Sequence, residues 1–349
     1  MPRVGMNPAR HRTSSYRPAP VTVAVLVYLP HLSGYFEHRL EVVKLCLESL
    51  LLHTDPPYDL LVFDNGSCEE AQAYLRRLQR AGQVEYLLTS NENLGKLGAL
   101  RLIAGAAPGD VIAYADDDTF FYPGWLPAHR KILNSFPNVG MVSGSPERSL
   151  FDHAIASGLR LAEADPEVQL ARGQWIPETW EREWAVALGK EPAAYLQRVR
   201  DIEEVTLERR GARAYATACH NQFLSPKDVL ARVLSGAWPE RLMGGLNDLD
   251  NAIDAAGHLR LTTLERTTKL IGNVIGPELA EEAARLGIRV DLAGRGVSRR
   301  RRRGIGERLA RWRPVRWFLQ GLYNRLFALL AGQTGGWQGG AGGEERADG

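Results

Sequence analysis

Apolar and polar positions alternate in blocks along the first third of the chain. Residues 21–28 form an apolar, valine-rich run that reads as a strand buried on both faces. After a loop holding Pro30 and Gly34, Leu40, Val43, Leu47 and Leu50 recur at helical spacing and predict a helix over 36–52, which Pro56 and Pro57 stop. Residues 60–63 read as a second short strand, running directly into Asp64-Asn65-Gly66-Ser67, a turn-forming set. A helix over 69–81 with Gly82 as its cap, a strand over 84–88, an Asn93-Leu94-Gly95 loop, a helix over 96–106 and a strand over 111–115 follow. That last strand ends at Asp116-Asp117-Asp118.

This alternation predicts an α/β fold, a Rossmann-type, mainly parallel sheet with helices on both faces. Ligands of such sheets sit beyond the carboxyl ends of the strands. Asp64 ends one strand and Asp116 to Asp118 end another, so carboxylates from separate strands are expected to converge on one crevice. Past Gly144 the periodicity weakens. Residues 145–213 are charged and carry Trp175, Trp180 and Trp184, and they read as helices and loops covering the crevice. A strand over 214–219, helices over 226–235 and 249–256, and a short strand over 259–264 complete the pattern.

The chain divides into a leader (1–20), an α/β domain (21–290), a basic amphipathic tail (291–332) and a glycine-rich end (333–349). The leader has no apolar stretch and reads as disordered rather than as a secretory signal, and the glycine-rich end likewise reads as disordered. The tail combines an arginine run at 299–303 with aromatics such as Trp312, Trp317 and Phe318. It fits a helix lying on an anionic membrane surface, and equally a helix packed on its own domain or on a partner. No uncharged apolar run is long enough to span a bilayer. A net charge of +2 gives no general case for nucleic-acid binding. Three cysteines, Cys46, Cys68 and Cys219, make neither a disulfide framework nor a zinc-ligand spacing. These features favour a cytoplasmic protein, peripheral on the inner membrane face if the tail binds lipid.

Three adjacent carboxylates repel one another unless a cation or hydrogen-bond donors lie near. A Mg²⁺ or Mn²⁺ held by few carboxylates can neutralise a departing diphosphate. The alternative for Asp116 to Asp118 is a solvated acidic turn. Asp64 could accept from a nucleobase N–H or a ribose hydroxyl, or simply close its turn. Asn93, Gly95 and Lys96 open a helix whose N-terminus would favour phosphate. Asp248 and Asp250 flank Leu249 at another helix start, where one aspartate suits a cap and the other a general base.

In this order, these residues resemble the family-two glycosyltransferases with the GT-A fold. The resemblance covers about residues 21–273 and rests on the first strand, Asp64-Asn65-Gly66-Ser67, Asn93-Leu94-Gly95, Asp116 to Asp118 running on to Pro123-Gly124-Trp125-Leu126, and Asn247-Asp248-Leu249-Asp250. It implies an inverting transferase that uses a nucleotide-diphosphate sugar donor. Val27 and Tyr28 would line the nucleobase and Asp64 would contact it. Asn93, Gly95, Lys96 and Asp117 would lie along the nucleotide sugar. Asp116 would touch the ribose or the metal, and Asp118 would bind the metal. Asp248 would be the base, with Asp250 the other candidate. The acceptor is expected to be a glycan or a lipid-linked hydroxyl, as in cell-wall or polysaccharide biosynthesis. Two departures stand out: Asn247 replaces the usual glutamate, and Lys269 replaces a histidine before Gly272-Asn273. They motivate the alternative of a non-catalytic nucleotide-sugar-binding scaffold. A sugar-phosphate nucleotidylyltransferase would need a glycine-rich basic loop after the first strand, where this chain has Leu29-Pro30-His31-Leu32-Ser33-Gly34. A Rossmann dehydrogenase would need Gly-x-Gly-x-x-Gly there.

Overall fold

A computed structural model describes residues 5–7, 9–236, 242 and 246–290. The tail and the glycine-rich end lie outside the described residues. The strands are β1 (Val21–Val27), β2 (Asp59–Asn65), β3 (Tyr86–Ser90), β4 (Val111–Asp116), β5 (Thr119–Phe121), β6 (Val139–Ser143), β7 (Gln169–Gly173), β8 (Glu204–Arg209), β9 (Ala212–Tyr215), β10 (Gln222–Pro226), β11 (Leu259–Thr263) and β12 (Thr268–Leu270). The helices are α1 (Arg39–His53), α2 (Glu69–Arg80), α3 (Gly95–Ala106), α4 (Trp125–Ser135), α5 (Ala156–Ala164), α6 (Glu178–Ala187), α7 (Pro192–Val199), α8 (Lys227–Leu234), α9 (Leu246–Ala255) and α10 (Pro277–Arg285).

One ten-stranded sheet has the order β3-β2-β1-β4-β10-β6-β11-β9-β8-β7, and β12 pairs with β5 in a small second sheet. Strands β3, β2, β1 and β4 are parallel, as the alternation of elements predicts. Strand β10 enters antiparallel between β4 and β6, and β11 returns parallel to β6. From β11 outward, β9, β8 and β7 form an antiparallel flank. Only β10, β9 and β7 therefore run against the shared direction, so the sheet is mostly parallel.

Both faces of this sheet are covered. Ala24 and Leu26 of β1 join Leu61 and Phe63 of β2, and Ile112 and Tyr114 of β4, in a core with α3, α8 and α9. The intervening Val23, Val25 and Val27 are equally buried, and strand alternation turns them to the opposite face. A strand buried on both faces must be apolar at every position, which is why β1 reads as a continuous run.

The register sets the site. Val27 stands opposite Asp64, and Leu26 stands opposite Asp116. The ends of β2 and β4 thus flank the end of β1 at one height, about 10 Å apart across two strand spacings. Gly66, with φ of +87°, makes the turn after β2, and a Cβ there would meet the Glu92 backbone at 3.0 Å.

The leader does not stay clear of the fold. The Ala19 N–H donates to Asp59 Oδ2 at 2.9 Å, and the Tyr16 hydroxyl donates to the same oxygen at 3.3 Å. Trp125 is wholly buried and donates to Thr54 Oγ1 at 2.9 Å, as a core tryptophan does.

Candidate active site

The three aspartates that end β4 have different surroundings. Asp116 receives Lys96 Nζ at 2.6 Å on Oδ2 and the Tyr114 hydroxyl at 2.6 Å on Oδ1. Lys96 lies over the Tyr114 ring, 5.4 Å from its centroid. Asp117 is buried: Arg39 pairs with its Oδ1, and the Tyr28 N–H donates to its Oδ2 at 3.1 Å. Asp118 Oδ2 accepts from Arg39 at 2.9 Å, and its side chain keeps 20% of its surface exposed. Burial raises the Asp117 carboxyl to about 6 against the downward pull of Arg39, and it raises Asp118 as well.

Arg39, which no sequence motif marks, joins two of these aspartates. It opens α1, bridges Asp117 and Asp118, and also donates to the Gly272 carbonyl at 3.1 Å. Gly272 adopts φ of +80°, and a Cβ there would meet the Ala187 carbonyl oxygen at 2.6 Å, so the backbone can take this course only as glycine. Nothing in the pattern around Arg39 separates it from an exposed helix-start arginine, because its partners lie 78 and 79 positions away.

Asp64 does close its turn, with the Ser67 N–H donating to Oδ1 at 2.9 Å. Its Oδ2 is buried and has no hydrogen-bond partner. Asn93 belongs to the scaffold. Its Oδ1 accepts from Asn65 Nδ2 at 2.9 Å and from the Gly95 N–H at 2.8 Å, while Asn65 Oδ1 accepts from the Leu94 N–H at 2.9 Å. The two asparagines tie the turn after β2 to the start of α3, and Lys96, on the first turn of that helix, is delivered to Asp116.

The pair at the start of α9 is split. Asp248 is exposed. Asp250 is fully buried, and its Oδ2 faces His220 Nδ1 at 2.9 Å, Arg260 at 3.0 Å and His153 Nε2 at 3.3 Å. Burial alone would raise its carboxyl, but the two histidines and Arg260 outweigh it and hold Asp250 down at about 2. Asp250 Oδ1 is buried and, like Asp64 Oδ2, has no hydrogen-bond partner; it is this enclosure that departs from the expectation of Asp250 as an accessible base. His220 sits at the same sheet edge as Asp116, whose N–H donates to the adjoining Asn221 carbonyl at 2.8 Å. Lys269, which stands where a histidine was expected, pairs with Glu183 at 3.0 Å and Glu282 at 3.3 Å.

Asp118 Oδ1 has no partner among the described residues. Among the described residues two cationic side chains, Lys96 and Arg39, pair with the three carboxylates, which leaves one formal negative charge over. Magnesium-type sites commonly use one or two protein carboxylates, with substrate phosphates and water completing the shell. Asp118 fits such a set as a single carboxylate, whereas both oxygens of Asp116 already accept hydrogen bonds. Among the described residues no group of three or more His, Cys, Asp or Glu side chains is placed to hold a metal ion.

Residues 35–161 match the family model described as Glycosyl transferase family 2. That match covers less than half of the chain and is a similarity to the family. The match spans α1 through β4 and the aspartate cluster and runs into α5. No curated protein matches the chain. Among solved structures, it is similar to mannosyltransferase PcManGT from Pyrobaculum calidifontis, in complex with GDP-Man and Mn²⁺. The identity is 17% over 71% of this chain and 55% of that one, with a TM-score of 0.41. It is also similar to TarS 1-349 from S. aureus, with 13% identity over 76% of this chain and 63% of that one and a TM-score of 0.42. The chain thus spans less than two thirds of either protein. No helix among the described residues is long and apolar enough to cross a membrane.

Proposed function

We propose that this chain is a family 2 glycosyltransferase that moves a sugar from a nucleotide-diphosphate donor to an acceptor hydroxyl. The observation that carries the proposal is the partly exposed Asp118 carboxylate at the end of β4, of which only Oδ2 accepts a hydrogen bond among the described residues. Asp64, two strands away, is fully buried with Oδ2 unpaired. Two strand spacings, about 10 Å, separate the ends of β2 and β4. A nucleotide lying across the end of β1 would place its diphosphate near Asp118 and its base over the turn that encloses Asp64, which would have to open for the base to reach Oδ2. The same crossing brings it past Val27 and Tyr28.

In this reading Asp118 would hold a Mn²⁺ or Mg²⁺ ion, and Asp116 would join it only by releasing Lys96 or Tyr114; the ion would supply positive charge to the leaving diphosphate. Lys96 and Arg39 add fixed cations that orient the carboxylates and need no rearrangement during reaction. Asp248, exposed on the first turn of α9, takes the proton from the acceptor hydroxyl. The acceptor oxygen bonds to the anomeric carbon as the carbon–phosphate-oxygen bond breaks, and that electron pair leaves with the nucleoside diphosphate. Direct displacement inverts the anomeric carbon and needs no covalent intermediate. Asp250 serves by position: it anchors α9 to Arg260 and fixes His153 and His220. Asn247 in place of glutamate leaves this assignment intact, because the exposed carboxylate is that of Asp248. The arginine run and aromatic stripe of the tail support a lipid-linked or polysaccharide acceptor met at the inner membrane face.

The test is release of nucleoside diphosphate from a panel of nucleotide sugars, with and without Mn²⁺, over a mixed glycan and glycolipid acceptor panel. Release that depends on acceptor and is lost in Asp248→Asn supports transfer. Metal-dependent nucleotide binding without turnover on any acceptor would favour the non-catalytic scaffold.

A further inference from the structure

Three carboxylates and one cation are buried where α6 and α7 meet the turn at Arg148–Asp152: Glu147, Glu181, Glu204 and Arg148. The charge of Glu204 is met. Arg148 Nε donates to its Oε1 at 2.9 Å, and the Ile176 N–H donates to its Oε2 at 2.9 Å. Glu181 Oε1 accepts the Arg148 backbone N–H at 2.7 Å. Three oxygens at this junction are buried with no hydrogen-bond partner: Glu147 Oε2, Glu181 Oε2 and Tyr195 Oη. Among the described residues no cationic side chain forms an ion pair with Glu147 or Glu181, since the guanidinium of Arg148 is given to Glu204.

The remaining groups around the pair do not neutralise it. Lys190, between α6 and α7, and Arg198, on α7, are exposed and stand over the Tyr195 ring, 5.6 and 5.3 Å from its centroid. Ser149 and the buried Cys219 thiol also lie near Glu147. Burial pushes the Glu147 carboxyl well above the ordinary carboxylate range and the neighbouring Glu181 adds to this, while Lys190 and Arg198 pull the other way. Burial raises Glu181 too, against the pull of the Arg148 N–H. An enclosed carboxylate without a cation is costly, and two side by side are more so. One proton held between them cancels a charge and turns an acceptor into an O–H donor for an oxygen that lacks one.

We infer that Glu147 and Glu181 share one proton at neutral pH, that this proton fastens α6 and α7 against the turn after β6, and that rising pH releases it to solvent and loosens both helices. The packed state binds the proton more tightly than the opened state. Opening is therefore favoured as pH rises above the ordinary 4.5 of Glu147, by up to about tenfold per pH unit, until the packed carboxyl itself ionises. The last residue of α6, Ala187, lies against Gly272, whose carbonyl accepts from Arg39, so the switch bears on a wall of the aspartate site. It belongs to the fold and does not depend on the proposed transfer reaction.

Two measurements on the full chain test it. Infrared spectra at about pH 7.5, above the value of about 6 for Asp117, should show a protonated-carboxyl C=O band in wild type that Glu147→Gln diminishes and Asp117→Asn leaves. Hydrogen exchange over residues 178–199 is then compared between wild type and Glu147→Gln at about pH 6 and about pH 8, each pair at one pH so that intrinsic exchange rates cancel. Protection in wild type relative to the variant should fall by about tenfold or more between the two, while the same ratio over β1 to β4 stays constant. Absence of the band in wild type overturns the shared proton, and this arm needs no variant to fold. A band that Glu147→Gln leaves unchanged overturns it as well. A protection ratio that does not change with pH, or that changes equally over β1 to β4, overturns the switch at α6 and α7.

Discussion

The end of β4 and the start of α9 present the same residue type in two states. At β4, Asp116 and Asp118 are paired with cations yet stay partly exposed, and one oxygen of Asp118 is uncommitted. At α9, Asp250 is enclosed, and one of its oxygens is shared by two histidines and an arginine. Two positions earlier, Asp248 is in the open. An aspartate becomes available for chemistry when it can be reached: Asp250 Oδ1 has no partner either, but it is fully enclosed. Acidity alone does not decide this, because the aspartate held at about 2 is the enclosed one.

Substitutions at each place sharpen the contrast. The largest effect is expected at β4: Asp118→Asn should lower glycosyl transfer by about a thousandfold, the scale of losing a main electrostatic contact to the leaving group. Steady-state kinetics check it. At α9 the enclosed residue should act on stability instead. Asp250→Asn leaves Arg260 buried and uncompensated and should destabilise the fold by about 3–5 kcal/mol, read from denaturant midpoints. Asp248→Asn should do the reverse, lowering transfer by about a hundredfold with stability changed by no more than about 0.5 kcal/mol. If Asp248→Asn unfolded the chain and Asp250→Asn left it stable but inactive, the roles given to the two aspartates would be exchanged.

A smaller effect comes from His129, which belongs to neither place. It is buried on α4, and burial lowers its imidazole from 6.5 to about 3. The unfolded chain takes up a proton at about 6.5 and the folded chain only near 3. The stability from keeping it neutral is therefore complete above pH 6.5 and lost as pH falls towards 3. The slope is at most about 1.4 kcal/mol per pH unit. Denaturant midpoints measured against pH should show it in wild type and in Asp250→Asn alike, and His129→Gln should flatten it. The contribution of Asp250 runs in a lower window, present above its ordinary value of 3.8 and lost as pH falls through about 2.

The parallel half was legible because strands buried on both faces must be apolar throughout, and crossover helices must show a 3.6-residue repeat. From β1 to β4 those constraints predict the elements to within a few residues, and they place Asp64 and Asp116 on one edge. The antiparallel half was harder. Strand β10 (Gln222–Pro226) contains Gln222 and Ser225 and ends in proline, and both polar side chains are buried. Gln222 Oε1 is satisfied by the Gly144 N–H at 3.1 Å and by Thr268 Oγ1 at 3.2 Å, which only the folded chain brings near. Strands β5 and β12 are three residues each, too short for any periodicity. At the site, the aspartates stood out as a run, whereas Arg39, His153 and Arg260 are single residues whose roles come from partners far along the chain. The network around Asp250 could not be read from Asn247-Asp248-Leu249-Asp250, since nothing local marks which of the two aspartates turns inward.

The most direct test of the central claim is thermal stability of the full chain against a panel of nucleoside diphosphates, each with and without Mn²⁺, in wild type and Asp118→Ala. A ligand that binds only the native state raises the melting temperature. The account predicts a rise for one nucleotide in wild type that depends on Mn²⁺ and is lost in Asp118→Ala. No rise for any nucleotide, or a rise that survives the substitution, would contradict a diphosphate site at the end of β4.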